Sequence, residues 1–186
     1  SGAYVNSEMS SDFGLIPTSF LPVGHKRLIE HQIEIIKDFK ATIIISLPND
    51  FNLLKRDEKL LTENEIYIHR TDSNLSLNKS IVSFINEYEK NHIIEELYIL
   101  HGDTSFQTIE QKTDLLYYGE TNLFYTWGYL KDIIGRTIKT ENHKQSVAAG
   151  YFTFSNPSFF KEQLLKNKLF ETSLINYNKK INFEIR

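Results

Sequence analysis

Cysteine is absent from the 186-residue chain, so a disulfide framework, a thiolate zinc site and a cysteine nucleophile are all excluded. No basic excess exists either. Lysine and arginine number 21 against 24 aspartates and glutamates, a net charge of −3, and a general nucleic-acid binder would show a basic face instead. The longest apolar runs are only a few residues, against the roughly 20 needed to span a bilayer. The opening residues lack a charged segment followed by an apolar one, so no signal peptide is expected. The chain contains no G-x-S-x-G elbow, no P-loop and no G-x-G-x-x-G. Its six histidines show no metal-ligand spacing: His25 and His31 are six apart, and His69, His92 and His101 are scattered. These absences leave an expected single, cytoplasmic globular domain without nucleic-acid or membrane partners. The 40% apolar and 24% charged content sits in the ordinary globular range.

What is present is an alternation of helical and strand patterns. Leu28, Ile29, Gln32, Ile33, Ile36 and Phe39 repeat at helical spacing, which predicts a helix over Leu28–Phe39. Ala41–Leu47 follows as a continuous β-branched run, the pattern of a strand buried on both faces in a parallel sheet. Glu65–His69 and Glu96–Leu100 read as further strands, with a helix over Ser76–Lys90 between them. Asp114–Leu130 is an aromatic block that reads as core and sheet packing, and Lys131–Lys144 reads as a strand pair or a surface excursion. Ala148–Phe154 is another strand, and Pro157 suits the first turn of a helix running to about Lys168. Together these predict a three-layer α/β/α domain with a mixed, mostly parallel sheet.

In such sheets ligands bind beyond the carboxyl ends of the strands. Asp103, in His101-Gly102-Asp103-Thr104 after the third strand, reads either as a turn residue capping local amides or as a carboxylate for magnesium held against phosphates. Gly102 is a turn glycine or a point of close ligand approach. Ser76 and Ser80 stand where a helix begins, suited to a nucleobase or ribose, with Ser76 equally suited to a plain N-cap. Lys26 and Arg27 lie at a helix start, where cations oppose the dipole unless a phosphate-rich ligand or solvent relieves them.

Several of these segments resemble the sugar-phosphate nucleotidyltransferases, and within them the capsule and surface-polysaccharide branch. They are Ser1-Gly2-Ala3, the stretch Leu21-Pro22-Val23-Gly24-His25-Lys26-Arg27-Leu28, the strand ending in Gly102-Asp103, and Ala149-Gly150-Tyr151-Phe152-Thr153-Phe154. Asn74–Ile81 falls where that family's base-recognising loop sits, and Tyr118-Gly119-Glu120 is similar to a segment near its sugar. The resemblance implies a nucleotide-diphospho-sugar-transferase-like fold. It implies joining of a nucleoside triphosphate to a phosphorylated sugar or polyol, with pyrophosphate released, for surface-polysaccharide precursors. Carried over, Gly2 and Ala3 approach the nucleotide, with Ser76, Ser80 and Gly102 beside it. Asp103 holds Mg2+, Lys26 meets a phosphate, and Gly150 and Glu120 line the acceptor pocket. The chain departs from the pattern in two places. Thr18 stands where the family has a lysine, with no arginine before Arg27, and the only acids after Phe154 are Glu162, Glu171 and Glu184.

The departures keep two other readings open: a nucleotide- or nucleotide-sugar-binding module without turnover, and a related glycosyltransferase, though position 101 is histidine where a D-x-D motif needs aspartate. The chain starts at Ser1, past the point where the resembling enzymes complete their first strand. The expectation is therefore one domain over 1–186, truncated at both ends, able to form a homo-oligomer or to be fused to further domains.

Overall fold

A computed structural model describes residues 4–122, 128–138 and 144–186. The chain forms two compact units: Ser1–Ser76 with His101–Gln111, and Leu77–Leu100 with Lys112–Arg186. Among the described residues no helix is long and apolar enough to cross a membrane.

In the first unit, Tyr4 bridges to Pro17 and the Val5 amide donates to the Ile16 carbonyl at 3.0 Å, closing the base of an excursion. The excursion carries α1 (Ser7–Phe13), capped by Asn6, whose Oδ1 accepts from the Met9 amide; none of its residues is buried. A 3-10 turn at Thr18–Phe20 leads to a hairpin of β1 (Pro22–Val23) and β2 (Lys26–Arg27). Its two-residue turn places Gly24 at φ 64, the positive first position of a type II′ turn. Next come α2 (Leu28–Ile36), β3 (Ile44–Pro48), α3 (Lys55–Glu63) and β4 (Tyr67–Thr71). β3 and β4 pair in parallel from Ile44↔Tyr67 to Pro48↔Thr71, with α3 as the crossover that parallel strands require. Phe20, Ile29, Ile33, Leu47, Leu61 and Ile66 form the core of this unit. α3 went unforeseen because its sequence, KRDEKLLTE, has no apolar stripe: only Asp57 and Leu61 are buried.

The second unit contains α4 (Leu77–Tyr88), β5 (Leu97–Leu100), β6 (Leu115–Thr121), α5 (Leu130–Ile134), β7 (Gln145–Phe154), α6 (Pro157–Lys166), α7 (Phe170–Ile181) and β8 (Glu184–Ile185). Its sheet runs β5-β7-β6-β8. Here the expectation of a mostly parallel sheet needs correction. The β5–β7 and β6–β7 pairs are antiparallel, and only β6–β8 is parallel. A doubly buried apolar run such as Phe152–Phe154 marks a covered strand without fixing its direction.

The second core is aromatic. Phe154 stacks on Phe160 with centroids 3.7 Å apart, and Tyr177 and Phe183 meet it edge-on at 5.0 and 5.8 Å. The Tyr177 hydroxyl donates to Asp114 Oδ1 at 2.7 Å and accepts from the Asn156 amide at 3.2 Å. Asp114 sits at φ 57, and its Oδ1 also takes the Ser155 amide at 3.0 Å, so one carboxylate ties the start of β6 to the end of β7 and to α7. Burial first, and the Asp114 hydrogen bond second, push the Tyr177 phenol from 10.0 up to about 12. A phenol raised on folding contributes stability that is complete below the unfolded value and is lost as pH rises through the folded one. Between pH 10 and 12 this loss amounts to about 2 kcal/mol. Urea unfolding of wild type and Tyr177→Phe at pH 8 and pH 12 should show the gap between them narrowing at high pH; a constant gap would refute the assignment.

Candidate functional site

The hairpin before α2 presents two adjacent cations to a helix N-terminus, where they are unfavourable alone. Internal carboxylates relieve the conflict. Lys26 pairs with Glu34. The Arg27 guanidinium pairs with Asp57 of α3, donates from Nε to Glu30 Oε2 at 3.0 Å, and lies 5.5 Å from the centre of the Phe20 ring. Glu30 Oε2 also accepts from the Arg27 amide at 2.9 Å, and this bond foremost holds the carboxyl below its ordinary value. Burial opposes the charge on Arg27, yet Asp57 and Glu30 raise its pKa.

β5 runs into His101-Gly102-Asp103-Thr104, and α2 secures that loop. Buried Gln32 donates from Nε2 to the carbonyls of His101 at 2.8 Å and Thr104 at 2.7 Å. The Thr104 amide reaches the His101 carbonyl at 3.3 Å, which makes Gly102 and Asp103 the middle of a turn. Gly102 is buried, whereas Asp103 is exposed and accepts from Thr104 Oγ1 at 3.1 Å. Burial draws His101 down to about 4 against the opposing pull of Asp103, so its imidazole is neutral at neutral pH. Asp103 thus stands in a turn, with its carboxylate exposed and accepting from Thr104.

Sequence reasoning missed the loop leaving β3. The Tyr4 hydroxyl donates to Asp50 Oδ1 at 2.7 Å, and its ring lies edge-on to Phe51. Burial, then Asp50, push this phenol up to about 12, with Arg70 pulling the other way. Arg70, near the end of β4, donates from Nη1 to the carbonyls of Pro48 at 2.9 Å and Phe51 at 2.6 Å. An arginine ending one strand beside an Asn-Asp exit from its neighbour was the legible signal.

The first unit also contains Ser76, exposed and immediately before α4; Ser80 lies in the first turn of α4 and belongs to the second unit. Gly2 and Ala3 lie outside the described residues, as do Phe124, Tyr125 and Trp127 of the aromatic block. In the second unit, Gly150 has φ 83 and is buried in β7, where the register with β6 passes from Leu116↔Phe152 to Tyr118↔Ala148. Three β7 residues there oppose the single Tyr117, so Gly150 serves a bulge. Glu120 is exposed opposite Ser146. The three acids after Phe154 are each engaged locally: Glu162 with Lys166, Glu171 with the Gly128 amide at 3.2 Å, and Glu184 with Lys112 and Arg186.

Among the described residues no group of three or more histidines, aspartates or glutamates is placed to hold a metal. Asp103 offers an exposed carboxylate at a strand exit, as do Asp50 and Asp72, which accept from the Tyr4 hydroxyl and from Asn74. The Asp103 carboxylate fits a magnesium ion whose other ligands are nucleotide oxygens and waters, since magnesium commonly takes only one or two carboxylates from the protein.

No protein-family profile and no curated protein matches the sequence. In structure the chain is similar to CTP:phosphocholine cytidylyltransferase from Streptococcus pneumoniae, with a TM-score of 0.60 and 14% identity over 91% of this chain and 79% of that one. The chain therefore shares the α/β fold of that enzyme.

Proposed function

We propose that this chain is a nucleotidyltransferase that joins a nucleoside triphosphate to a phosphorylated small molecule and releases pyrophosphate. The observation that carries the reading is the fold likeness over 91% of the chain to an enzyme named for cytidylyl transfer. In the reaction a phosphate oxygen of the acceptor attacks the α-phosphorus, and the bond to the β-phosphate oxygen breaks as pyrophosphate leaves. Such chemistry is governed by positioning and charge neutralisation. Asp103, held exposed by the turn that Gln32 anchors, is the carboxylate that would hold magnesium, and the ion would offset phosphate charge when bound. The resemblance in sequence favours a sugar or polyol phosphate as acceptor and a role in surface-polysaccharide precursors, with Ser76 beside the nucleotide.

One observation favours a second reading, a nucleotide-binding module without turnover. Lys26 and Arg27, the cations nearest the start of α2, are both committed to internal carboxylates. Calorimetry with the four nucleoside triphosphates, with and without magnesium, tests both readings. Binding should require magnesium and should weaken in Asp103→Asn, with the far-UV spectrum unchanged. No binding to any triphosphate would sink both readings. Pyrophosphate release with a panel of phosphorylated sugars, polyols and amino alcohols then separates enzyme from binding module.

A further inference from the structure

Among the described residues, four of the eight lysines and arginines of the first unit are paired with carboxylates. Lys26 has Glu34, Arg27 has Glu30 and Asp57, Lys59 has Glu63 at 3.6 Å, and Arg56 lies 3.8 Å from Asp57. Arg70 is held differently. Its Nη1 is fixed by two main-chain carbonyls, Pro48 and Phe51, and among the described residues it makes no ion pair. Carbonyls orient a guanidinium without neutralising it. A guanidinium also has five donor hydrogens in a fixed fork, and only those on Nη1 are used here. The side chain is exposed.

Its location gives that charge a use. Arg70 is the penultimate residue of β4, at the carboxyl end of the parallel β3–β4 pair, the end where open α/β sheets receive ligands. The Asn49 amide bonds to the Thr71 carbonyl at 2.9 Å, joining the two strand exits around it. Asp50, the nearby acid, accepts the Tyr4 hydroxyl and forms no ion pair with Arg70. A pre-oriented, unneutralised fork at a strand exit matches a phosphate chain, which planar guanidinium donors bind bidentately and a lysine would meet only as a point charge.

We infer that Arg70 is the residue that grips the polyphosphate of the bound nucleotide, supplying the positive charge that segment 4–18 lacks. The inference rests on the reading proposed above. Its probes are inorganic triphosphate and the nucleoside triphosphates, titrated calorimetrically into wild type, Arg70→Gln and Arg70→Lys. Arg70→Gln should lose about tenfold or more in affinity for both probes, the scale of one charge-assisted contact. Its remaining binding should depend less on salt than that of wild type. Arg70→Lys, which keeps the charge and loses the fork, should fall between the two. Urea midpoints of the three proteins report the loop anchoring separately. Arg70→Gln with wild-type affinity would overturn the inference while leaving nucleotidyl transfer standing. So would an affinity loss with unchanged salt dependence and a lowered urea midpoint, which would assign Arg70 to loop anchoring alone. Triphosphate bound through Arg70 with no nucleotide bound would overturn the proposed function and leave Arg70 as a polyphosphate-binding residue without a nucleotide. Neither probe bound by wild type would overturn both.

Discussion

Asp57→Asn is expected to destabilise the protein by about 3 kcal/mol, because it leaves the Arg27 guanidinium with Glu30 alone and without its buried partner. Asp57 is 3% exposed, and the Arg27 side chain 12% exposed, so water cannot replace the lost charge. The amide keeps the carboxylate's shape, which removes a cavity from the comparison. Replacing both members with apolar residues of similar volume, Arg27→Met with Asp57→Leu, should cost much less than the single change, since no buried charge is then stranded. Urea unfolding followed by far-UV circular dichroism measures both. A single mutant within about 1 kcal/mol of wild type would mean that the pair behaves as a surface one.

Phe154→Ala is expected to cost a similar amount, about 3–5 kcal/mol, in the second unit. Phe154 is fully buried, and its ring contacts Phe160, Tyr177 and Phe183, which belong to three separate segments following β7. Truncation therefore removes apolar contact and leaves a cavity that α6 and α7 cannot both close. Phe154→Leu, which keeps most of the volume, should cost less than half as much. Equal urea midpoints for wild type and Phe154→Ala would contradict the packing described.

The elements legible in the sequence were those with a single apolar stripe or an unbroken β-branched run. α2, α4, β5, β7 and α6 fall within a few residues of their expected positions. α3 escaped because its helical residues are charged and bury only Leu61 and Asp57. α7 was legible in principle, since Phe170, Leu174, Tyr177 and Ile181 repeat at helical spacing; its asparagines and threonine obscured the pattern. Strand direction was beyond reach, because β5 meets β7 across some fifty residues of chain that carry no local sign of the pairing. At the candidate site, Asp103 could be singled out from its place after a buried strand. The commitments of Lys26 and Arg27 could not, because Glu34 and Glu30 look like ordinary helix-surface acids and Asp57 belongs to the helix that was missed. Arg70 was overlooked for a related reason: its importance lies in the carbonyls that hold it, and a sequence does not display carbonyls.

The Gln32 anchor has a consequence for how the protein reaches its native state. Its two hydrogen bonds join residues separated by 69 and 72 positions, and the chain between them contains all of α3, α4, β3, β4 and β5. Closing so long a loop is entropically costly until the intervening segments have become compact. The turn bearing Asp103 is therefore among the last parts of the first unit to take shape during synthesis. A ribosome-bound chain that ends before Thr104 carries the residues of β3 and β4 but cannot yet form the second Gln32 bond that fixes the turn presenting the Asp103 carboxylate.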